Sequence, residues 1–281
     1  MPRTLALACS LTVIGALLLL PPPHASERLV RIYGSDPTTA DRVAIIVPGA
    51  DTRVATFDSS TRHPGGAARA LLAEATRLAP HIRLTVVAWL GYDSPPTLSL
   101  AALTDEAAVA GSRELRRTVA ALHHRTTAPI TLLCHSYGSY TCALAAPGLP
   151  ISDLAFIGSP GVGTGTKATA ITSASTSNNT SANAGSSTNT NTSASPTSAT
   201  PPIRVWAGLG DNDWIKLVPK IKLGTLGFGT DPMKAPYGAR RFETGTGGHS
   251  DYYTPGTPSL HNLTLIALGR HQEVTPEKDG S

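Results

Sequence analysis

The chain has 281 residues, of which 41% are hydrophobic and 15% charged, with a formal net charge of +4. That length suits one domain with accessory segments. No dense Lys/Arg stripe interrupts it, so no nucleic-acid partner is expected.

The first element stands apart. Arg3 is followed by an apolar run from Thr4 to Leu20 and then by Pro21, Pro22 and Pro23. A short basic start before a long apolar run has the form of a secretory signal. The run is also near the lower length limit for crossing a bilayer. Residues 1–26 are therefore expected to be a signal peptide or an N-terminal membrane anchor. Pro23 is a poor small residue for a cut after Ala25, so both alternatives stay open. Either places the protein outside the cell or in its envelope, and a retained segment would associate with the membrane. Cys9 lies inside the run, which leaves Cys134 and Cys142 in the remainder.

After a lead-in, "RLVRIYGSDP", which suits an edge strand, "RVAIIVPGA" (Arg42 to Ala50) is a continuous apolar run ending in Pro-Gly. Such a run fits a strand buried on both faces, as in a parallel sheet. Gly65 to Pro80 has helical periodicity, with Leu71, Leu72, Ala75 and Leu78 on one side and Pro80 as its stop. "IRLTVVAWLGY" is the next strand. Thr104 to Thr126 is a long helix with an acidic start and a basic end, both suited to the helix dipole. "PITLLCHS" (Pro129 to Ser136) is a strand, and "YGSYTCALAA" is a helix stopped by Pro147 and Gly148. Further strands follow at "ISDLAFIGSPGVG" and "IRVWAGLGD", "ARRFETGTGGHSDYY" holds a short strand and a glycine-rich loop, and "SLHNLTLIALGR" is a closing helix. Strands alternating with helices give a mainly parallel α/β sheet with right-handed crossovers.

One interval breaks this alternation. Residues 164–202 are almost wholly Ser, Thr, Asn, Ala and Gly. Such a composition cannot offset its ordering entropy, so the segment is expected to be a disordered insert. The single domain then comprises residues 27–163 and 203–281.

The stretch "LLCHSYGSY" carries the chemistry. Ser136 lies between a strong strand and a helical segment, where a tight turn exposes a hydroxyl and needs small neighbours. Gly138 meets that need two residues later, whereas Cys134 stands where the first glycine of G-x-S-x-G is usual. A serine hydroxyl needs a base, a group to orient the base and donors for an oxyanion. His249, after two glycines beyond the last strand, suits the base. His123 and His124 sit at a helix end and His63 in a loop, and the side chain of His135 should leave the other side of its strand. The acid is Asp213 or Asp211, both just past "IRVWAG". Asp213 is favoured by its place in the loop, with the other carboxylate left to cap the following turn. Backbone N–H groups of Tyr137 and Ala50 suit the oxyanion hole.

Six segments, "VPGADTRVATFD", "VAWLGYDSP", "LLCHSYGS", "IGSPGVG", "GFGTDPMKAPYGARRF" and "GGHSDYY", occur in an order that resembles an actinobacterial α/β-hydrolase family of mostly undefined substrates. The likeness runs from about Arg42 to Gly269, apart from the polar tract. It implies the α/β-hydrolase fold, a mainly parallel central sheet with helices on both faces, and a Ser-Asp-His triad. It implies Ser136 as nucleophile, His249 as base and an aspartate of the "GDNDW" loop.

The resulting expectation is a secreted or membrane-anchored serine hydrolase, esterase-like, acting on a small-molecule ester substrate without cofactor or metal. An acyltransferase with the same triad and an inactive hydrolase-fold binding protein are the alternatives. The polar tract occupies the place where lipases often carry an apolar lid, which favours an open site over a lipid-interface enzyme. Cys134 points to one face of its strand, and Cys142 lies four residues after Gly138 on the helix side turned to the sheet. They form either a disulfide or a pair of buried thiols.

Overall fold

The computed structural model describes residues 28–97, 99–163, 168, 171 and 202–278. The expected signal or anchor, 1–26, lies outside the described residues, as does nearly all of the expected insert. Ala168 and Ile171, at the start of that insert, are buried in the core.

A seven-stranded sheet is formed among the described residues by β1 (Leu29–Gly34), β2 (Arg42–Val47), β3 (Leu84–Leu90), β4 (Ile130–His135), β5 (Asp153–Ile157), β6 (Arg204–Gly208) and β9 (Arg240–Arg241). Their order is β1-β3-β2-β4-β5-β6-β9. β1 runs antiparallel to β3 and every other pairing is parallel. The two edge strands, β1 and β9, are largely exposed along their length, as edge strands tolerate. A separate hairpin pairs β7 (Lys222–Leu223) with β8 (Leu226–Gly227).

The run "RVAIIV" makes β2 a central strand because both of its faces are apolar. Val43, Ile45 and Val47 enter one core with residues of helices α2 (Glu106–His123) and α3 (Tyr137–Ala145). Ala44 and Ile46 enter the opposite core with α1 (Pro64–Leu78) and α4 (Pro258–Leu268). Helices therefore cover both faces. Each fully buried Leu, Ile or Val contributes about 1.5–3 kcal/mol, so burial on both faces holds β2 in register. This arrangement leaves the C-terminal ends of the parallel strands open, and the turns after β2, β4 and β6 emerge there.

Candidate active site

Ser136 follows β4 directly and has φ 53° and ψ −127°, a left-handed region that a serine rarely adopts. Its N–H is tied to the carbonyl of Ile157 at 3.0 Å, and the N–H of Ser139 donates to the Ser136 carbonyl at 2.9 Å. The strained turn is thus held by the neighbouring strand and by the helix it starts. Small residues permit the crowding. A Cβ on Gly138 would lie 2.4 Å from the Pro48 carbonyl oxygen, and one on Gly49 would lie 2.6 Å from the Ser136 Cβ. The loop after β2 therefore runs directly against the serine. Two of its carbonyls are held by side chains: Tyr92 OH donates to Pro48 O and Ser94 Oγ donates to Gly49 O.

Cys134 replaces the usual first glycine without clashing because its side chain is consumed by a bond. Cys134 and Cys142 form a disulfide, with Cα atoms 6.4 Å apart. Of the two alternatives, the structure has the disulfide.

His249 joins the serine to an acid. The Ser136 hydroxyl and His249 Nε2 are 2.8 Å apart, and His249 Nδ1 is 2.8 Å from Asp213 Oδ1 and 3.1 Å from Oδ2. With Nδ1–H donated to the carboxylate, Nε2 is left to accept from the serine. Asp213 is buried, and it also accepts from Tyr252 OH at 2.5 Å and from the Ile215 N–H at 2.8 Å. Burial alone would raise the Asp213 carboxyl, but hydrogen bonds from His249 and Tyr252 outweigh it and hold the group below the ordinary carboxylate value.

Asp211 does not reach the histidine. It is exposed, and its N–H donates to Gly245 O at 3.0 Å while its carbonyl accepts from Lys216 Nζ. The cap on the turn that follows comes from Asp213 itself, through Ile215, and not from Asp211 as the sequence suggested. The strand pairing beyond β6 brings the two loops together. Asp211 N–H to Gly245 and Asn212 Nδ2 to Thr246 O zip the acid loop to the histidine loop.

His135 takes part in an unexpected way. Its Nε2 lies 2.6 Å from the carbonyl oxygen of His249. It also packs 4.9 Å from the His249 ring and 5.5 Å from Tyr252. Burial and the neighbouring His249 push its pKa down to about 3, so the ring stays neutral and donates its Nε2–H. Tyr252 and Trp214 were also absent from the sequence reading. The Trp214 ring lies 4.6 Å from that of His249. Their signal was position: each stands within three residues of a chosen acid or base.

A sequence model described as alpha/beta hydrolase matches residues 23–175, more than half of the chain. The chain belongs to the alpha/beta hydrolase family. An uncharacterized protein of Mycobacterium tuberculosis is 32% identical to the hydrolase over 154 residues, covering 52% of this chain and 58% of that protein. A second from the same organism is 26% identical over 255 residues, covering 83% of this chain and 36% of that protein. The chain thus spans less than two thirds of the length of either relative. Both are actinobacterial, as the motif order implied. Among solved structures, esterase PE8 aligns at a TM-score of 0.48 with 15% identity, over 86% of this chain and 99% of its own. A Xanthomonas campestris protein described as an α/β serine hydrolase without a lid aligns at 0.41 with 17% identity, over 91% and 99%.

Proposed function

We propose that this hydrolase cleaves carboxylic esters through an acyl-enzyme on Ser136. The observation that carries the reading is the unbroken hydrogen-bond series from Ser136 Oγ through His249 to a buried Asp213. Ser136 Oγ attacks the acyl carbon while His249 Nε2 takes its proton. The imidazolium gives that proton to the leaving alcohol, and the same nitrogen then activates water to release the acid. Asp213 keeps the ring in the needed tautomer and offsets its transient charge. The N–H groups of Tyr137 and Ala50 are the donors for the oxyanion. The Cys134–Cys142 disulfide supports an oxidising, extracytoplasmic location, in the medium or the cell envelope.

The test is Ser136→Ala, assayed on a nitrophenyl ester. It is expected to lower kcat by about 10⁴- to 10⁶-fold while the melting temperature holds. Retention of more than about a tenth of wild-type turnover, against the far deeper loss that removing a nucleophile causes, would remove Ser136 from the role.

A further inference from the structure

Tyr252 is a buried phenol that the proposed chemistry does not use, and it is joined to the acid of the triad. Its hydroxyl stands between two loops. It donates to Asp213 Oδ2 and accepts from the Gly210 N–H at 3.1 Å. Gly210 and Asp213 belong to the acid loop, whereas Tyr252 follows His249 by three residues. Room for the pair is made just after β5. Gly158 has φ 55°, and a Cβ there would lie 2.9 Å from Asp213 Oδ2 and 3.1 Å from the Tyr252 hydroxyl oxygen.

The donors on Asp213 are divided between its oxygens. Oδ1 accepts from the Ile215 N–H and lies 2.8 Å from His249 Nδ1. Oδ2 is 3.1 Å from the same ring nitrogen and takes the phenol. A carboxylate shares its charge over both oxygens, so a donor on Oδ2 draws charge away from the Oδ1 that faces the imidazole. Both residues are buried, so water does not stand in for the phenol or screen its effect. The phenol also stays a donor, because burial and the Asp213 charge push its own pKa up.

The other charged and titratable groups around the pair are held by contacts of their own. His135 of β4 stays neutral and donates to the His249 carbonyl. Asp251 is paired with Arg62 and accepts from the Gly248 N–H. Lys220 donates to Ser159 O and Ile215 O and faces both Asp213 and Asp231. None of these contacts uses the Tyr252 hydroxyl, so its removal leaves them in place.

We propose that Tyr252 is a positioning residue that acts on the reaction through Asp213. By drawing charge to Oδ2 it limits the hold of the Asp213–His249 pair on a proton, and so keeps His249 free to accept from Ser136 in more acidic solution. The effect on turnover rests on the ester-hydrolase reading above, whereas the pull of Tyr252 on Asp213 acts with or without it.

Tyr252→Phe keeps the ring and removes the hydroxyl. With a nitrophenyl ester, the acid limb of kcat/KM reports the Asp213–His249 pair titrating as a unit. That limb is expected to move up by about 0.5–1 pH unit, roughly the share of one bond among the two or three that depress a carboxylate. A merely structural phenol would lower the melting temperature and leave the limb where it was. Placing 3-fluorotyrosine at position 252 keeps the bond with a more acidic hydroxyl and should move the limb down. It is also the second variant if Tyr252→Phe does not fold. The proton between His249 Nδ1 and Asp213 gives a reading free of turnover. In Ser136→Ala, its NMR resonance should move downfield when Tyr252→Phe is added, because the carboxylate then binds the N–H more strongly. If the wild type cleaves no ester, the hydrolase reading fails and this resonance decides alone. The proposal is overturned by a limb that stays or moves down in folded Tyr252→Phe, by a limb that stays or moves up with fluorotyrosine, or by a resonance that does not move.

Discussion

Asp213 accepts hydrogen bonds from a ring nitrogen, a phenol and a backbone N–H, and it is shut off from water. Asp211, two residues earlier, is exposed and is tied into the site through its backbone. Asp213→Asn is therefore expected to lower kcat by about 10⁴-fold, because the amide no longer holds the imidazole in the needed tautomer or offsets its charge. Asp211→Asn should leave kcat nearly unchanged, and the opposite ranking would transfer the role to Asp211. At this scale Ser136 and His249 were legible from their order along the chain and their places just past strand ends, whereas the same cues left Asp213 and Asp211 both open. Tyr252 and His135 were not legible. The Tyr252–Asp213 bond spans 39 positions and the His135–His249 contact spans 114. Nothing local to either residue signals such a partner.

The strand–turn–helix unit of β4 and α3 is fastened at two levels, by the backbone bonds around Ser136 and by the disulfide from Cys134 to Cys142. The bond closes a loop with a sequence separation of 8. Restricting so short a loop in the unfolded chain stabilises the fold by about 2–3 kcal/mol. Cys134→Ala with Cys142→Ala is expected to lower the melting temperature by about 5–10 °C. Alkylation of the denatured, non-reduced protein should label neither cysteine, and a labelled pair would mean that the bond does not form. The strands β2 to β6 were legible because each is a continuous apolar run that both faces of a sheet require. The β7–β8 hairpin was not legible because two-residue strands carry no periodicity. The short strand expected within "ARRFETGTGGHSDYY" is Arg240–Arg241, and the glycines after it belong to the histidine loop.

The acid response of the whole molecule follows from groups whose protonation differs between folded and unfolded chains. His135 is held neutral by burial down to about pH 3, whereas its unfolded counterpart takes up a proton near the ordinary histidine value of 6.5. Below that value the unfolded chain binds more protons, so stability is present in full at neutral pH and falls as the pH drops towards 3. One such group removes up to about 1.4 kcal/mol per pH unit. His63, lowered by burial and Arg62, acts in the same direction. Asp153 opposes burial with hydrogen bonds from His271, Arg204 and Trp206 and titrates at about 2, so its contribution is lost only below the usual aspartate range. Unfolding free energy measured in urea from pH 7 to 4 should therefore decline, and His135→Gln should flatten the decline. An unaltered slope would show that His135 is not the group responsible. Fold class was legible at this scale from the alternation of strands and helices. The pH response was not, because it depends on which imidazole the packing encloses.

The bond between Ser136 and His249 spans 113 positions, with β5, β6 and β9 between them. A chain emerging from the ribosome thus displays Ser136 long before Asp213 and His249 exist to join it. Until those last loops are made and zipped together, the hydroxyl is an ordinary alcohol. Under the proposed function, the order of synthesis keeps a half-made chain from attacking the esters of the cell that produces it.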